Sequence, residues 1–284
     1  MRSAIWSVFV ISCLTACGEM GQPSERNTSM FRIGYSIEPP YSYLNKDGRL
    51  TGYSVDVVNR ITSALGIKNI QWTLLPFSEL IPSLREGSIN MIGTHLFASE
   101  QRLRQVRFAE PGAWVCSGLL INPDIDEAPI ADREDLRYVV IRDSAEHSYL
   151  QSTPAARQLT VVPDTHLGVK ALQQGHGDLL ALSMPTVTLL SGQTGTGVAR
   201  YASPGETSKK LAIPISVAFR KQDEELAKRW NRAQRQVAEE LSQELADRYS
   251  HFLYAESGSA AEAVCQQAFR QQQAGNGQQD NGHG

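Results

Sequence analysis

The residue with the clearest capacity for chemistry is Arg102. It follows Ser99 by three positions within residues 77–111, FSELIPSLREGSINMIGTHLFASEQRLRQVRFAEP. A serine at that spacing opens a helix by accepting a hydrogen bond from the backbone of the first turn. The remaining N–H groups and the positive dipole end then face outward, and an arginine among them makes a site for an anionic oxygen. The expected chemistry is capture of a carboxylate, because a guanidinium offers paired donors in a fixed plane. Glu38 and His95 offer an acid and a base, but no motif fixes one against the other. The chain contains no HExxH, no GxSxG, no Cys and His cluster for a metal and no glycine-rich phosphate loop. Neither a cofactor nor a metal is expected.

The elements that must position these groups alternate between strand and helix. Residues 31–35 (FRIGY) read as a strand, and Asn45 to Gly48 as a turn, since Asp-Gly tolerates positive φ. Val55, Val58, Ile61 and Leu65 fall at helical spacing, ended by Gly66. A strand over 70–75 follows, then a helix that Ser78 can cap, carrying Leu80, Ile81 and Leu84 and closed by Gly87. Residues 89–92 give a third strand, with a polar crossing before the helix at Ser99. This order predicts an α/β fold with right-handed parallel crossovers. Further on, 138–141, 160–162 and 178–182 read as short buried strands, 166–174 contains a helix ended by Gly175, and 223–253 is strongly helical.

The chain has 284 residues and a net charge of −3, with no basic run interleaved with aromatics, so nucleic acid is not an expected partner. Met1-Arg2 followed by the apolar residues 4–14 (AIWSVFVISCL) reads as a secretory signal, too short for a mature span. Its end, Leu14-Thr15-Ala16-Cys17, resembles the lipobox of bacterial lipoproteins, which implies a diacylated Cys17 and a membrane tether through lipid. Residues 18–29 (GEMGQPSERNTS) suit a polar tether. With Cys13 removed and Cys17 lipidated, Cys116 and Cys265 remain in an oxidising compartment, either bridged or as two free thiols.

Several motifs in order carry a family resemblance: Pro39-Pro40-Tyr41, GRLTG over 48–52, FSELIPSL over 77–84, SEQR over 99–102 and FAEP over 108–111. The chain to about Tyr254 resembles the bacterial extracytoplasmic solute-binding proteins of amino-acid ABC transporters. The resemblance implies a two-lobed periplasmic binding protein fold of type 2, with two crossing hinge strands and a ligand trapped between the lobes. With the signal (1–16) and lipidated tether (17–29) read above, it divides the chain into lobe 1 (30–115), lobe 2 (116–210) and a return to lobe 1 with C-terminal helices (211–254), and the Gln, Gly and Asn-rich remainder reads as a polar, largely disordered tail (255–284). It implies a monomer that works with a small-molecule ligand and an ABC permease or a membrane sensor.

By the same resemblance, Arg102 grips the ligand carboxylate, Ser99 caps its helix and meets ligand, Thr94 is a polar contact and Phe77 an aromatic platform. His95 is either a further contact or a histidine satisfied by local backbone. On the second lobe, Asp143-Ser144-Ala145 stands where the family has Gly-Ser/Thr-Thr, and Ser144 keeps the hydroxyl. The departures are larger elsewhere. Ser183 stands where an aspartate pairs with the ligand ammonium, Phe97 where a small hydroxyl is usual, and Glu38 where an aromatic stacks. A buried ammonium without a counter-charge costs several kcal/mol. Either Glu38 or another acid supplies that charge from a new direction, or the ligand has no free α-amine. The fold is also similar to cyclohexadienyl dehydratases, which makes an enzyme the competing class, and a solute-sensing lipoprotein without transport is a third.

Overall fold

Two parallel crossovers build the first lobe. The computed structural model describes residues 30–122, 125, 135–152, 157–193, 199–200 and 212–249. Strand β1 (Phe31–Tyr35) leads to a small hairpin, β2 (Tyr43–Leu44) with β3 (Leu50–Thr51), which turns at Gly48. Helix α1 (Tyr53–Ala64) buries Val57, Val58 and Ile61, and returns the chain to β4 (Ile70–Leu74), parallel to β1. Helix α2 (Leu80–Glu86) ends at Gly87, whose φ of 83° is the left-handed conformation that stops a helix. Strand β5 (Met91–Phe97) then lies parallel to β1 on its other side.

Two local expectations are corrected here. Ser78 does not cap α2: it sits inside a 3₁₀ turn at Phe77–Glu79, and Glu79 precedes the helix without a side-chain cap. Pro82 in the first turn of α2 has no N–H, so one donor that a cap would satisfy does not exist. The third strand also runs on to Phe97, taking in the Thr94 and His95 that read as a polar crossing. All seven of its residues are buried: neighbours pair along both edges, and core side chains pack on both faces, Met91 and Phe97 in one cluster and Ile92 and Leu96 in another.

Helix α3 (Glu100–Gln105) and strand β6 (Arg107–Phe108) lead to the first long crossing, β7 (Ala113–Ile121). Its first half pairs with the returning strand β12 (Ala212–Phe219), and its second half with β10 (Leu179–Ser183) of the second lobe. Strand β12 in turn pairs with β5 and β6. The two crossing strands thus lie side by side: β7 enters the sheets of both lobes, and β12 pairs with it and runs on into the sheet of lobe 1.

The second lobe continues with β8 (Tyr138–Ile141), α4 (Ala145–Leu150), β9 (Leu159–Val162), α5 (Thr165–Gln173), β10, α6 (Met184–Gln193) and β11 (Ala199–Arg200). Its sheet runs β7-β10-β8-β9, with β8 parallel to both neighbours. Val139 packs with Leu120 and Leu180 on one face, while Val140 packs with Leu179 and Ala181 on the other. Strands buried on both faces read as continuous apolar runs, as these do. Helix α7 (Glu224–Tyr249) returns to lobe 1, where Trp230 (1% exposed) packs edge-on against Phe219. At its far end Arg248 and the Tyr249 hydroxyl both reach Asp56 of α1, at 2.9 and 3.0 Å.

The signal, the tether with Cys17, and the tail with Cys265 lie outside the described residues. Cys116, buried in β7, is disulfide-bonded; the proposed Cys265 end of that bridge is among the residues not described. Among the described residues no helix is long and apolar enough to cross a membrane, and no group of side chains could hold a metal ion.

Candidate functional site

Between the lobes lies a cleft with about 550 Å³ of empty space, its mouth included. Lobe 1 lines it with Ser36, Glu38, Tyr41, Phe77, Phe97 and Arg102, and lobe 2 with Ser144, Glu146, Asp164, Thr165 and Ser183. The loop that carries Glu38 and Tyr41 is held by the start of α1. The N–H groups of Tyr53 and Ser54 donate to Pro40 O and Tyr41 O, both at 2.9 Å. Gly52 makes that approach possible: its φ is 124°, and a Cβ there would stand 2.4 Å from Tyr41 O.

Arg102 is 5% exposed and centres the site. Ser99 caps α3, its hydroxyl accepting from the Arg102 N–H at 3.3 Å, as expected. The guanidinium donates to Phe97 O at 3.1 Å and reaches across the cleft to Asp143 O at 2.7 Å. It also stands over the Phe77 ring, 5.3 Å from the centroid. Phe77 is therefore a platform for the arginine itself, a contact that fixes the plane of its fork. Two of the five guanidinium N–H donors are used by backbone, which leaves the others for a ligand.

Asp143 presents its carbonyl to Arg102 because its backbone is left-handed, with φ 60°. Its N–H donates to His147 Nδ1 at 3.1 Å. Non-glycine residues in this region carry strain, least for Asp and Asn and most for β-branched side chains. Asp143→Val is expected to lower stability by about 1–3 kcal/mol, whereas Asp143→Gly stays within about 1 kcal/mol of the parent; urea denaturation of the two variants measures this.

The other expected residues divide into those that face the cleft and those that support it. Ser144 lines it and caps α4, accepting from the His147 N–H at 3.0 Å. Ser183 lines it too, but its hydroxyl is engaged by the Tyr41 hydroxyl at 3.2 Å and by Thr186 at 3.0 Å. The Tyr41 bond crosses from lobe to lobe. Thr94 is fully buried and outside the lining, with its hydroxyl 3.2 Å from that of Ser42. His95 lines the cleft as well, and its Nδ1 is engaged locally by Ser54 of α1. Ser54 Oγ accepts from the His95 backbone N–H at 3.1 Å and is hydrogen-bonded to the ring Nδ1 at 2.8 Å. Burial holds the imidazole neutral, its pKa pushed down to about 3. Ser99 acts as a cap outside the lining.

Glu146 was not anticipated. It is 5% exposed on α4 and accepts from Ser117 Oγ at 3.4 Å. Burial raises its pKa, opposed by its own backbone N–H, by Arg102 and by the Ser144 and Ser117 hydroxyls. Glu38 is raised further, to about 8, first by burial and then by the charge of Glu146, with Arg102 again opposing. Neither carboxylate makes an ion pair within 4 Å among the described residues. The described lining thus holds a single permanent cation, Arg102, against three acids, Glu38, Glu146 and Asp164.

The sequence model of bacterial extracellular solute-binding proteins, family 3, matches residues 31–252. The chain is a family 3 solute-binding protein. The probable amino-acid-binding protein YxeM of Bacillus subtilis is 23% identical over 227 residues, which span 77% of this solute-binding protein and 83% of that relative. The L-arginine-binding protein of Pseudomonas aeruginosa is 27% identical over 218 residues, 71% of this chain and 80% of the relative. Among solved structures, an ancestral arginine-binding protein bound to glutamine superposes with a TM-score of 0.69 at 18% identity, covering 78% of this chain and 97% of that one. These likenesses match the two-lobed fold with its crossing strands. The family is one of binding proteins, located outside the cytoplasm, so the cleft of this solute-binding protein is read as a place of capture and no residue is assigned to catalysis.

Proposed function

We propose that this family 3 protein captures a small, amino-acid-like solute bearing a carboxylate and delivers it to an ABC importer, held at the membrane as a monomer by lipid on Cys17. The observation that carries this reading is the placement of Arg102. Its buried fork faces the cleft and already spans it through Asp143 O. A carboxylate on the remaining donors gains contacts from lobe 1 by Arg102 and from lobe 2 by the Ser144 turn, and the closed form alone offers both. Ligand therefore favours closure about β7 and β12 by its differential affinity for the two states.

A thermal-shift panel of small carboxylates, amino acids and matched amides tests the reading. A ligand at a hundredfold excess over Kd raises stability by about 2.7 kcal/mol, well within detection. Carboxylates are expected to shift the melting temperature and their amides are not. Equal shifts by amide and acid would remove the carboxylate from the reading.

A further inference from the structure

The backbone of lobe 2 that meets Arg102 is held on both sides of one residue. The peptide before Asp143 donates its N–H to His147 Nδ1 at 3.1 Å, and the peptide after it donates the Ser144 N–H to Ile141 O at 3.1 Å. With both peptide planes fixed, the torsion between them is fixed as well. Asp143 therefore stays at φ 60°, and its carbonyl accepts from the Arg102 fork at 2.7 Å. The Ile141 bond belongs to the turn itself. The His147 bond comes from a side chain, and it opposes the strain of a left-handed aspartate.

Local sequence explains how the ring arrives there. Ser144 caps α4, and its hydroxyl accepts from the His147 N–H at 3.0 Å, which fixes the root of that side chain. In a capping box the third residue of the helix reaches back to the N–H of the cap. The third residue here is His147, and it reaches one position further, to the residue before the cap. A ring nitrogen that accepts from a backbone N–H carries no proton, so the neutral imidazole is protonated at Nε2. Nε2 is buried and has no hydrogen-bond partner, which leaves the Asp143 bond to select the tautomer. Burial also lowers the pKa of His147 and favours the neutral ring.

We propose that His147 is a positioning residue for capture: through Nδ1 it holds the Asp143 carbonyl of lobe 2 against Arg102 of lobe 1, and so sets the plane of the guanidinium across the cleft. His147 lies outside the lining and acts through backbone alone. Phe77 fixes the same plane from lobe 1, with the guanidinium stacked over its ring. The effect on affinity rests on the reading of Arg102 as the carboxylate donor, whereas the clasp between the lobes stands without it.

The test compares His147→Asn, His147→Gln and His147→Ala in the mature protein. Asparagine keeps an acceptor at the δ position, glutamine moves it to ε, and alanine has none. In the ligand-free parent, heteronuclear NMR of the imidazole should show Nε2 protonated and Nδ1 bare. Urea midpoints for Arg102→Ala, His147→Ala and the double variant should give losses that fall short of additive, since either change breaks the same clasp. His147→Gln replaces His147→Ala in that cycle if the alanine variant does not fold. Calorimetry then uses the tightest binder among L-arginine, L-glutamine and succinate. Affinity should be about three- to tenfold weaker in His147→Gln and His147→Ala, the usual worth of one hydrogen bond, and close to the parent in His147→Asn. A proton on Nδ1, fully additive losses, parent-like affinity in His147→Gln and His147→Ala, or a His147→Asn no better than His147→Gln would each overturn the proposal. If none of the three solutes binds the parent, the carboxylate reading fails, and the tautomer and the urea cycle still decide the clasp.

Discussion

In Arg102→Ala, the melting shift produced by the best carboxylate ligand of the parent protein disappears, and its affinity falls by about 10²–10³-fold. That range corresponds to about 2.7–4.1 kcal/mol, comparable to the loss of about 3–5 kcal/mol usual when one member of a buried charged pair is removed. Three contacts go at once: the donors to the ligand, the bond to Phe97 O and the lobe-spanning bond to Asp143 O. Arg102→Lys separates charge from shape. Lysine restores a positive charge but not a planar fork, and it stacks less well on Phe77. Its affinity is expected to lie between the two, nearer to alanine. Calorimetry on the three proteins with the same ligand gives the measurement. Full affinity in Arg102→Lys would mean that the site reads charge alone, and an unchanged shift in Arg102→Ala would move the carboxylate site elsewhere.

Arg102 was legible in the sequence because its role depends on local order. Ser99, the turn it caps and the arginine three residues on are a contiguous signal, and the structure keeps that arrangement. The strands of both lobes were legible for a similar reason: short apolar runs between glycine stops have few other uses. Helix α6 was missed because its apolar residues, including Val187 and Leu190 in the lobe 2 core, are spread round the helix among threonines and a serine, so it shows no amphipathic period. Glu146 was missed for the opposite reason. An acid just after a serine cap is the ordinary composition of a helix start, where it favours the dipole and faces water. Only the tertiary fold, which lays α4 against β7 and the cleft, turns that common pattern into a buried carboxylate. Thr94 shows the converse. Its polarity suggested a contact with ligand, whereas the Ser42 hydroxyl of the neighbouring loop meets it inside the wall; His95 beside it stays in the lining, with Nδ1 engaged by Ser54 of α1.

The ligand-free protein is expected to lose stability as pH rises from about 4.5 to 8, and Glu38→Gln to remove much of that loss. The sign follows from the folded pKa of Glu38, which burial and Glu146 raise from 4.5 to about 8. Below the lower value the side chain is protonated whether the chain is folded or not, and it contributes no pH dependence. Between the two values the unfolded chain has released the proton and the folded chain still holds it, so each rise in pH favours unfolding. The loss amounts to a few kcal/mol at most and levels off above pH 8. Glu146, also raised, acts in the same direction. Asp178 acts in the opposite one: its bonds to Arg137 hold its pKa down, so its contribution is lost only in acid. Melting temperature against pH should therefore peak in mildly acidic buffer. Glutamine keeps the size of Glu38 and stays neutral, so Glu38→Gln should match the parent near pH 4.5 and melt several degrees higher at pH 8. A variant that tracks the parent across the whole range would show that Glu38 is hydrated before ligand enters, and that the ligand-free cleft stands open in solution.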